Sequence, residues 1–592
     1  MVPQRDAEIL TDARTGSVVA LSLRGATAHA EARYGEAERA FRVLTQRQPS
    51  EAGHWLNLGT ALRGLARYDD ALRAYARAHA LGGVSADFCF NVGLTHLDRL
   101  DYESARAVLA QGVALAPHDA QMRLQYASAC FESGHTDEGV AALADWREWE
   151  SLDAASVAGI GLRLQGAGAA AEAGIAIDRL RATPRLGAEA GLMLVHMLER
   201  ANRLTEAEQV LAQLKRSAAA ELSAHAPAFA SAEGRLAQRR GRHGEAIAHF
   251  ERALGTDTSP HRRHHELFPL ARALDATGRH EAAWARLAEA HRSQVAQVRL
   301  AAPAVAARGA PSFAITRHGS DRADVARWCD AGAPDTEASP VFIVAFPRSG
   351  TTLLEQVLDA HPSLRSMDEQ PFLQRALEEL DDAAGGRYPA ALADIPVATL
   401  GAIRARYFDR VRCKVALTPG ERLVDKNPLN LLRLPAIRRL FPHARILLAV
   451  RHPCDVLLSC YMQCFTAPEF SLLCADLPTL AAGYRRAFDF WYREQAALAP
   501  AVHEVRYEML VGEFEPEVRR IAAFLDLPWH DALLAPGAHA RAKAFISTPS
   551  YSQVVEPVST RAVGRWRAYA TQFSQVLPAL APYFERWGYE PG

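Results

Sequence analysis

Small and apolar residues recur along the first half of the chain at an interval of 34 residues. One series of small residues keeps this interval without a break: Ala37, Ala71, Ala105, Gly139, Ala173 and Ala207. A second series has the same interval: Gly25, Gly59 and Gly93. Apolar residues three or four positions apart accompany both series, which is the spacing of one helical face. Because two helices approach closely only past small side chains, the pattern predicts pairs of antiparallel helices that cross at these positions.

The most regular unit lies between residues 55 and 75. It reads Trp55-x-x-Leu58-Gly59-x-x-Leu62, followed by Ala71-x-x-x-Tyr75. This unit resembles the tetratricopeptide repeat (TPR) position by position. Ala246 and Ala283 continue the series at longer steps, so we expect about eight units over residues 15–292. The resemblance implies an all-α TPR solenoid. Its repeated residues are expected mainly in the core, and its concave face is expected to bind a segment of a protein partner.

Composition narrows the class of protein. Hydrophobic residues make up 49% and charged residues 23%, as in folded domains, and a net charge of -1 argues against a nucleic-acid coat protein. The eight cysteines lack the spacing of metal or disulfide frameworks. We find neither a signal-peptide pattern nor a transmembrane segment, so the cytoplasm is the expected location. Residues 293–339 lose the 34-residue period and are interpreted as a connector.

A different pattern begins at residue 341. The run from Val341 to Phe346 is continuously apolar, which is typical of a buried parallel strand. The loop that follows reads Pro347-Arg348-Ser349-Gly350-Thr351-Thr352, and an apolar helical stripe comes next. A loop between a strand and a helix directs backbone N–H groups and the positive helix end at one spot, which suits phosphate or sulfate. We therefore predict an α/β P-loop-type domain with a parallel sheet over residues 340–592.

The loop departs from the Walker pattern at one position. Thr351 stands where nucleotide-binding loops carry a lysine, which argues against an ordinary kinase or ATPase. Arg348 offers a cation inside the loop instead. The six residues resemble the 5′-phosphosulfate loop of sulfotransferases that use 3′-phosphoadenosine-5′-phosphosulfate (PAPS). The resemblance implies that Arg348, Ser349, Gly350, Thr351 and Thr352 bind this co-substrate.

A second strand and helix carry a matching pair of residues. A buried-strand pattern covers residues 445–450, Arg451 follows it, and Ser459 comes eight residues later. In sulfotransferases such an arginine and serine grip the 3′-phosphate, and a guanidinium fork suits phosphate oxygens. Taken alone, Arg451 could equally form a surface ion pair.

Further motifs resemble the tyrosylprotein sulfotransferases. The segments are Asp359-Ala360-His361-Pro362, Asp368-Glu369, Asp425-Lys426-Asn427-Pro428, Tyr507-Glu508, and Ser550 through Pro557 with Trp566. The resemblance implies that Glu369 is the catalytic base, that Lys426 binds the leaving oxygen, and that Tyr507, Ser550 and Arg565 contribute to co-substrate binding. Arg565 replaces the lysine of that family, and Gln370 and Pro371 replace its threonine and arginine. A cytosolic TPR-sulfotransferase of bacterial type fits these features better than a secretory-pathway enzyme.

The sequence thus predicts transfer of a sulfuryl group from PAPS to an acceptor hydroxyl without a metal, with Arg348 as a catalytic cation. The acceptor stays open among protein tyrosine, glycan and small molecule. His361 and His452 are further candidate bases, ranked lower because one lies in a turn and the other beside the phosphate grip. Two other functions stay open: a P-loop phosphotransferase that uses ATP and Mg2+, and a TPR scaffold that has lost catalysis.

Overall fold

The computed structural model describes residues 17–149, 152–217, 223–256, 263–308, 314–542 and 557–590. Two compact units make up the chain. The first comprises Met1–Arg163 with Gln297–Ala307, and the second comprises Leu164–Ala296 with Arg308–Gly592. The second unit therefore contains both repeat helices and the α/β domain.

The described residues between 18 and 301 form α-helices that follow one another in eight pairs. The helices are α1 Val18–Ala30, α2 Tyr34–Arg47, α3 Ala52–Gly64, α4 Tyr68–Gly82, α5 Ala86–Asp98, α6 Tyr102–Leu115, α7 Ala120–Glu132, α8 Thr136–Ala142, α9 Ala154–Gly166, α10 Ala170–Arg181, α11 Ala188–Arg200, α12 Leu204–Ser217, α13 Ala226–Arg239, α14 His243–Thr256, α15 His264–Ala276 and α16 His280–Ala301. The predicted helical repeat array is confirmed.

The hairpins cross where the sequence places its glycines. A Cβ atom added to Gly59 on α3 would lie less than 3.0 Å from the ring of Tyr75 on α4. The same holds for Gly25 against Phe41 and for Gly234 against Phe250. A large side chain from the second helix of each pair thus fills the space left by the missing side chain, as close packing requires.

The α/β domain is built on a parallel five-stranded sheet. Its strands are β1 Val341–Ala345, β2 Leu364–Ser366, β3 Arg422–Lys426, β4 Arg445–Val450 and β5 Ala501–Arg506, in the spatial order β2-β3-β1-β4-β5. The central strand β1 is buried along its whole length. This confirms the predicted fold class, a helical repeat array followed by a parallel α/β domain.

The described residues after 301 form further α-helices. They are α17 Pro303–Arg308, α18 Arg322–Val325, α19 Thr351–Asp359, α20 Phe372–Ala383, α21 Val397–Lys414, α22 Leu434–Leu440, α23 Pro453–Tyr461, α24 Pro468–Leu473, α25 Leu477–Leu498, α26 Tyr507–Gly512, α27 Phe514–Phe524, α28 Pro536–Ala542, α29 Ala570–Phe573 and α30 Leu577–Trp587. No helix in the described part of the chain is both long enough and apolar enough to cross a membrane.

The helices that follow β1 and β4 pack on opposite faces of the sheet. Leu354 and Val357 of α19 belong to one apolar core with Ile343 of β1, whereas Val456 of α23 belongs to another with Phe342. The chain therefore leaves two neighbouring strands in opposite directions. A crevice opens at such a switch point, beside the carboxyl ends of the strands, and ligands of open α/β sheets bind there.

The last repeat pair packs directly on the α/β domain. Trp284 of α16 stacks on Tyr461 of α23 with ring centroids 4.7 Å apart, and the Nε2 atom of His291 lies 2.8 Å from the Tyr461 carbonyl oxygen. Helix α16 continues past the expected boundary at 292 to Ala301, and Gln294 in this continuation donates a hydrogen bond to the carbonyl oxygen of Phe465. Within the predicted connector, Asp330 pairs with Arg438 at 3.1 Å.

Candidate active site

The loop between β1 and α19 is held in a tight turn. Arg348 and Gly350 have positive φ angles of 72° and 91°, and the Ser349 hydroxyl donates a hydrogen bond of 2.7 Å to the carbonyl oxygen of Phe346. The ring of Tyr507 occupies the space that a side chain on Gly350 would need. Glycine is therefore required here both by its backbone angle and by the contact with Tyr507.

The predicted phosphate-binding residues of β4 and α23 meet this loop. The Nε atom of Arg348 donates to the hydroxyl oxygen of Ser459 at 3.1 Å, and Arg451 donates to the carbonyl oxygen of Arg348 at 3.3 Å. The guanidinium of Arg451 also lies over the Tyr507 ring, 4.8 Å from its centroid. Residues more than 100 positions apart in the sequence thus converge at the switch point.

The convergence places two guanidinium groups close together. Burial, together with the neighbouring Arg451, lowers the pKa of Arg348 below its ordinary value, although Arg348 keeps some contact with solvent. The buried Nε atom of Arg451 has no hydrogen-bond partner among the described residues. Two adjacent guanidinium groups, one with an unused donor, are suited to a ligand with several anionic oxygens.

A carboxylate anchors the segment that precedes α29 against Arg451. Both oxygens of Asp455 accept hydrogen bonds from backbone amides, from Gly564 at 2.6 Å and from Trp566 at 3.0 Å, and Arg451 donates to the carbonyl oxygen of Ala562. Trp566 stacks on His452 with centroids 5.2 Å apart. This segment closes one side of the site, and Asp455 is a residue that the sequence analysis did not single out.

At the end of β3, Lys426 lies between two carboxylates. Its Nζ atom is 2.7 Å from Oε1 of Glu369 and 3.1 Å from Oε2 of Glu355. The side chains of Lys426 and Glu355 are fully buried, whereas that of Glu369 is 38% exposed. Burial alone would lower the pKa of Lys426, but the two carboxylates outweigh burial and raise it. Lys426 is therefore a permanent cation beside an accessible carboxylate.

Glu355 is the member of this group that the sequence analysis missed. It lies on α19, directly after the phosphate-binding loop, and the Ser366 hydroxyl donates to its Oε1 atom. The sequence signal was a glutamate among the apolar residues Leu353, Leu354 and Val357 of a short helix. A carboxylate buried there requires a cation, which Lys426 supplies.

Asp425, the residue before Lys426, is fully buried as well. Its carboxylate accepts hydrogen bonds from the Tyr407 hydroxyl at 2.7 Å and from the Asn430 side-chain amide at 3.0 Å. Burial raises the pKa of Asp425 to about 6, despite the opposing effect of these hydrogen bonds. The network fixes the end of β3 from which Lys426 projects.

The other predicted site residues have different surroundings. Thr351 and Thr352 are buried in the first turn of α19. Both ring nitrogens of His361 contact backbone atoms, and Nε2 of His452 contacts the Glu590 carbonyl oxygen, so neither ring is aimed at Lys426. Arg565 pairs with Asp275 of α15 rather than with the loop at Arg348. Ser550 lies outside the described residues.

One group of candidate metal ligands was not visible in the sequence spacing. Ligand atoms of His264, His265 and Cys464 lie within 4.8 Å of one another. Burial raises the pKa of the Cys464 thiol, and the charges of Arg272 and Arg235 act in the opposite direction. Because both neighbouring charges are positive, the surroundings oppose a metal cation.

The fold and the site together define an α/β domain with an anion-binding crevice, preceded by helical repeats. A model of the sulfotransferase family matches residues 340–531, and a tetratricopeptide repeat model matches residues 96–160. The chain belongs to the sulfotransferase family.

The curated relatives described next each match 42% of the chain. The similarity to protein-tyrosine sulfotransferase 2 of Gallus gallus is 30% identity over 264 residues, covering 69% of that protein. Protein-tyrosine sulfotransferase 1 of Danio rerio is 29% identical over 262 residues, with 72% of it covered. An uncharacterized protein of Aquifex aeolicus is 28% identical over 258 residues, and the match spans only 33% of its length.

Proposed function

We propose that this protein transfers a sulfuryl group from PAPS to an acceptor hydroxyl. The observation that carries the proposal is the convergence of Arg348, Ser459, Arg451 and Tyr507 at the switch point of a sulfotransferase domain. The buried Lys426 with its partner Glu369 belongs to the same domain. The names of the curated relatives support tyrosine in a polypeptide as the acceptor.

The described residues fit PAPS as the donor. The loop from Arg348 to Thr352 would hold the phosphosulfate, since its backbone N–H groups and the start of α19 face one spot. Arg451 and Ser459 would hold the 3′-phosphate, and the unused Nε donor of Arg451 is available for it. When bound, PAPS supplies the activated sulfuryl group. Arg348 and Lys426 provide positive charge, which is the role that Mg2+ has in phosphoryl transfer.

Glu369 is the group we assign to proton removal. Lys426 binds its Oε1 atom and so orients the carboxylate, which leaves Oε2 to accept the proton of the acceptor hydroxyl. Lys426 remains protonated at neutral pH because of its two carboxylate neighbours. A fixed cation at this point stabilises negative charge on a departing oxygen.

We also propose that the repeats over residues 15–292 recruit a protein, in keeping with the concave binding faces of such arrays. The catalytic domain would extend over residues 340–592.

A cytoplasmic location is supported by the eight cysteines, all of which are free thiols, since structural disulfides form in oxidising compartments. Fractionation of cells that express a tagged chain would test the location.

The donor is tested by binding. Adenosine 3′,5′-bisphosphate should stabilise the protein in a thermal-shift assay, whereas ATP with Mg2+ should not. Arg451→Ala should weaken the bisphosphate by about 1.5–3 kcal/mol in calorimetry, the usual value for a charge-assisted hydrogen bond. Arg519→Ala is the matched control, because Arg519 pairs with Glu515 on the exposed side of its own helix. Unchanged affinity in Arg451→Ala would refute the proposed phosphate grip.

The chemical step is tested by transfer of labelled sulfate from PAPS to a tyrosine peptide. Glu369→Gln should lower turnover roughly 10²–10⁴-fold without changing bisphosphate affinity, because the amide cannot take the proton at neutral pH. A phenol that is more acidic than tyrosine should recover part of the rate. The control is Glu378→Gln on the exposed side of α20. Full turnover in Glu369→Gln would contradict the assignment of the base.

A further inference from the structure

One aspartate of the repeat array contacts the segment that closes one side of the site. Asp275 lies near the end of α15, and its side chain is 15% exposed. Its Oδ1 atom accepts a hydrogen bond of 2.7 Å from the hydroxyl of Tyr569, and its Oδ2 atom pairs with the guanidinium of Arg565. Both partners lie on the segment that packs against Arg451. We refer to residues 562–569 as the closing segment.

The ring of Tyr569 is enclosed by the same repeat pair. Its centroid lies 5.3 Å from that of His280 and 5.6 Å from that of Trp284, both on α16. Tyr569 is buried, and a buried hydroxyl without a hydrogen bond costs about 1–3 kcal/mol. Asp275 is the acceptor for this hydroxyl. Burial and the hydrogen bond to this carboxylate raise the pKa of Tyr569 above its ordinary value, so the hydroxyl stays a donor.

A second aspartate holds the closing segment from the catalytic domain. Asp455 of α23 accepts hydrogen bonds from the backbone amides of Gly564 at 2.6 Å and of Trp566 at 3.0 Å. Arg565, the residue between them, is the one that pairs with Asp275. The closing segment is therefore held by one carboxylate from α23 and by one from the repeat helix α15.

The position of the closing segment bears directly on the phosphate grip. Arg451 donates hydrogen bonds to the carbonyl oxygen of Ala562, the first residue of the segment, and to that of Arg348. These two bonds orient the guanidinium, whose buried Nε atom has no hydrogen-bond partner among the described residues. A shift of the closing segment would move the acceptor at Ala562 and turn this donor. Groups that bind a ligand need supporting contacts that fix them to within about 0.5 Å.

We infer that Asp275 is a positioning residue for the donor, so that the last repeat pair forms part of the PAPS site. The link runs from Asp275 through Arg565 and Tyr569 to the closing segment, and from Ala562 to Arg451. The inference rests on the proposed sulfotransferase function for the identity of the ligand. The contacts themselves lie within one compact unit. The array thus contributes to donor binding in addition to the recruitment of a protein.

The test combines calorimetry of the full chain with adenosine 3′,5′-bisphosphate and kinetics of sulfate transfer from PAPS to a tyrosine peptide. Asp275→Asn keeps the shape of the side chain and removes the charge that holds Arg565. It should weaken the bisphosphate about tenfold, which is a usual size for coupling between sites. The KM for PAPS should rise by a similar factor while kcat stays within about twofold, because Glu369 and Lys426 lie on other elements.

Two comparisons show whether the carboxylate is what matters. Asp275→Glu should keep most of the affinity, since the negative charge remains. Asp87→Asn makes the same chemical change at an exposed position of α5 and should change neither affinity nor KM.

The proposed link is tested by removing its intermediate contacts. Tyr569→Phe keeps the ring between His280 and Trp284 but removes the hydroxyl, and it should weaken the bisphosphate by a few-fold. In a chain that carries Tyr569→Phe and Arg565→Gln, adding Asp275→Asn should have no further effect, because residues that act through one another are not additive. Bound bisphosphate should also slow hydrogen exchange of peptides from α15 in the parent but not in Asp275→Asn, since coupling is reciprocal.

The outcomes separate this inference from the proposed function. Weaker binding with unchanged kcat, and with loss of the ligand-dependent protection of α15, supports the inference. Equal affinity in Asp275→Asn and the parent overturns it and leaves the proposed function intact. Tighter binding also overturns it, because Asp275 would then withhold Arg565 from the ligand. If Asp275→Asn does not fold, Tyr569→Phe decides by the same comparison. A parent that binds neither the bisphosphate nor PAPS overturns the proposed function, and this inference with it.

Discussion

The buried lysine at the end of β3 depends on a carboxylate that has no assigned chemical role. Replacing Glu355 with Gln keeps the shape of the side chain and an acceptor for the Ser366 hydroxyl, but removes the negative charge 3.1 Å from Lys426. Two unit charges at that separation attract by about 5 kcal/mol at an effective dielectric constant of about 20. Loss of one partner from a buried ion pair usually costs about 3–5 kcal/mol.

We expect the lower end of that range, about 3 kcal/mol, because Glu369 still pairs with Lys426 at 2.7 Å. Hydrogen exchange followed by mass spectrometry gives a local measurement, which suits a chain with two compact units. Peptides covering α19 and β3 should exchange roughly a hundredfold faster in Glu355→Gln, since about 1.4 kcal/mol corresponds to a factor of ten. Peptides from α1 to α8 should not change.

Glu379→Gln is the matched control. Glu379 pairs with Arg406 and Arg410 near the surface, so the same chemical change should cost less than about 1 kcal/mol there. Combining Glu355→Gln with Lys426→Met should restore much of the lost protection, because no buried charge would then lack its partner. Equal exchange in Glu355→Gln and Glu379→Gln would refute the view that the buried pair holds β3 and α19 together.

Two further predictions concern stability. Asp425 has a pKa of about 6 in the folded chain against an ordinary 3.8, so folding favours its protonated form and its contribution to stability is lost as pH rises through 6. Asp425→Asn should therefore raise the melting temperature relative to the parent at pH 7.5, and this advantage should disappear below about pH 4. A difference in melting temperature that stays constant across pH would contradict the reasoning. Removing residues 1–167 should leave a folded catalytic unit. Removing residues 1–292 should lower the melting temperature and the soluble yield, because Tyr461 then loses its contacts with Trp284 and His291. Equal melting temperatures and yields of the two truncated proteins would show that these contacts contribute little.

Much of the fold follows from local patterns in the sequence. The two helices of a hairpin cross at Gly59 and Tyr75 as predicted, because the repeat pattern fixes both positions within one hairpin. The bounds of β4 match its apolar run, since a strand buried on both faces has a nearly continuous hydrophobic pattern. The hydrogen bond between Arg348 and Ser459 was not predicted, because the motif resemblance pairs Ser459 with Arg451 and local patterns carry no long-range information.

The remaining features depend on contacts between distant segments. Glu355 acquires its partner only when α19 packs beside β3, and nothing in its neighbouring residues indicates this. Arg565, for which we predict a contribution to co-substrate binding, pairs with Asp275, 290 positions earlier in the sequence, and no local pattern indicates that pair. The close packing of α16 on α23 was not predicted either, because a regular repeat pattern does not indicate that its last helix packs on a second domain.

The docking of the last repeat pair makes the array unequal along its length. In residues 18–149 each hairpin presents similar ends, so a duplication or loss of one 34-residue block can rejoin matching surfaces. The pair α15 and α16 cannot be exchanged in this way, because Asp275 and Trp284 contact Arg565 and Tyr461 of the α/β domain. Evolution and engineering can therefore lengthen or shorten the array from its amino-terminal side and alter its reach while the catalytic chemistry is preserved.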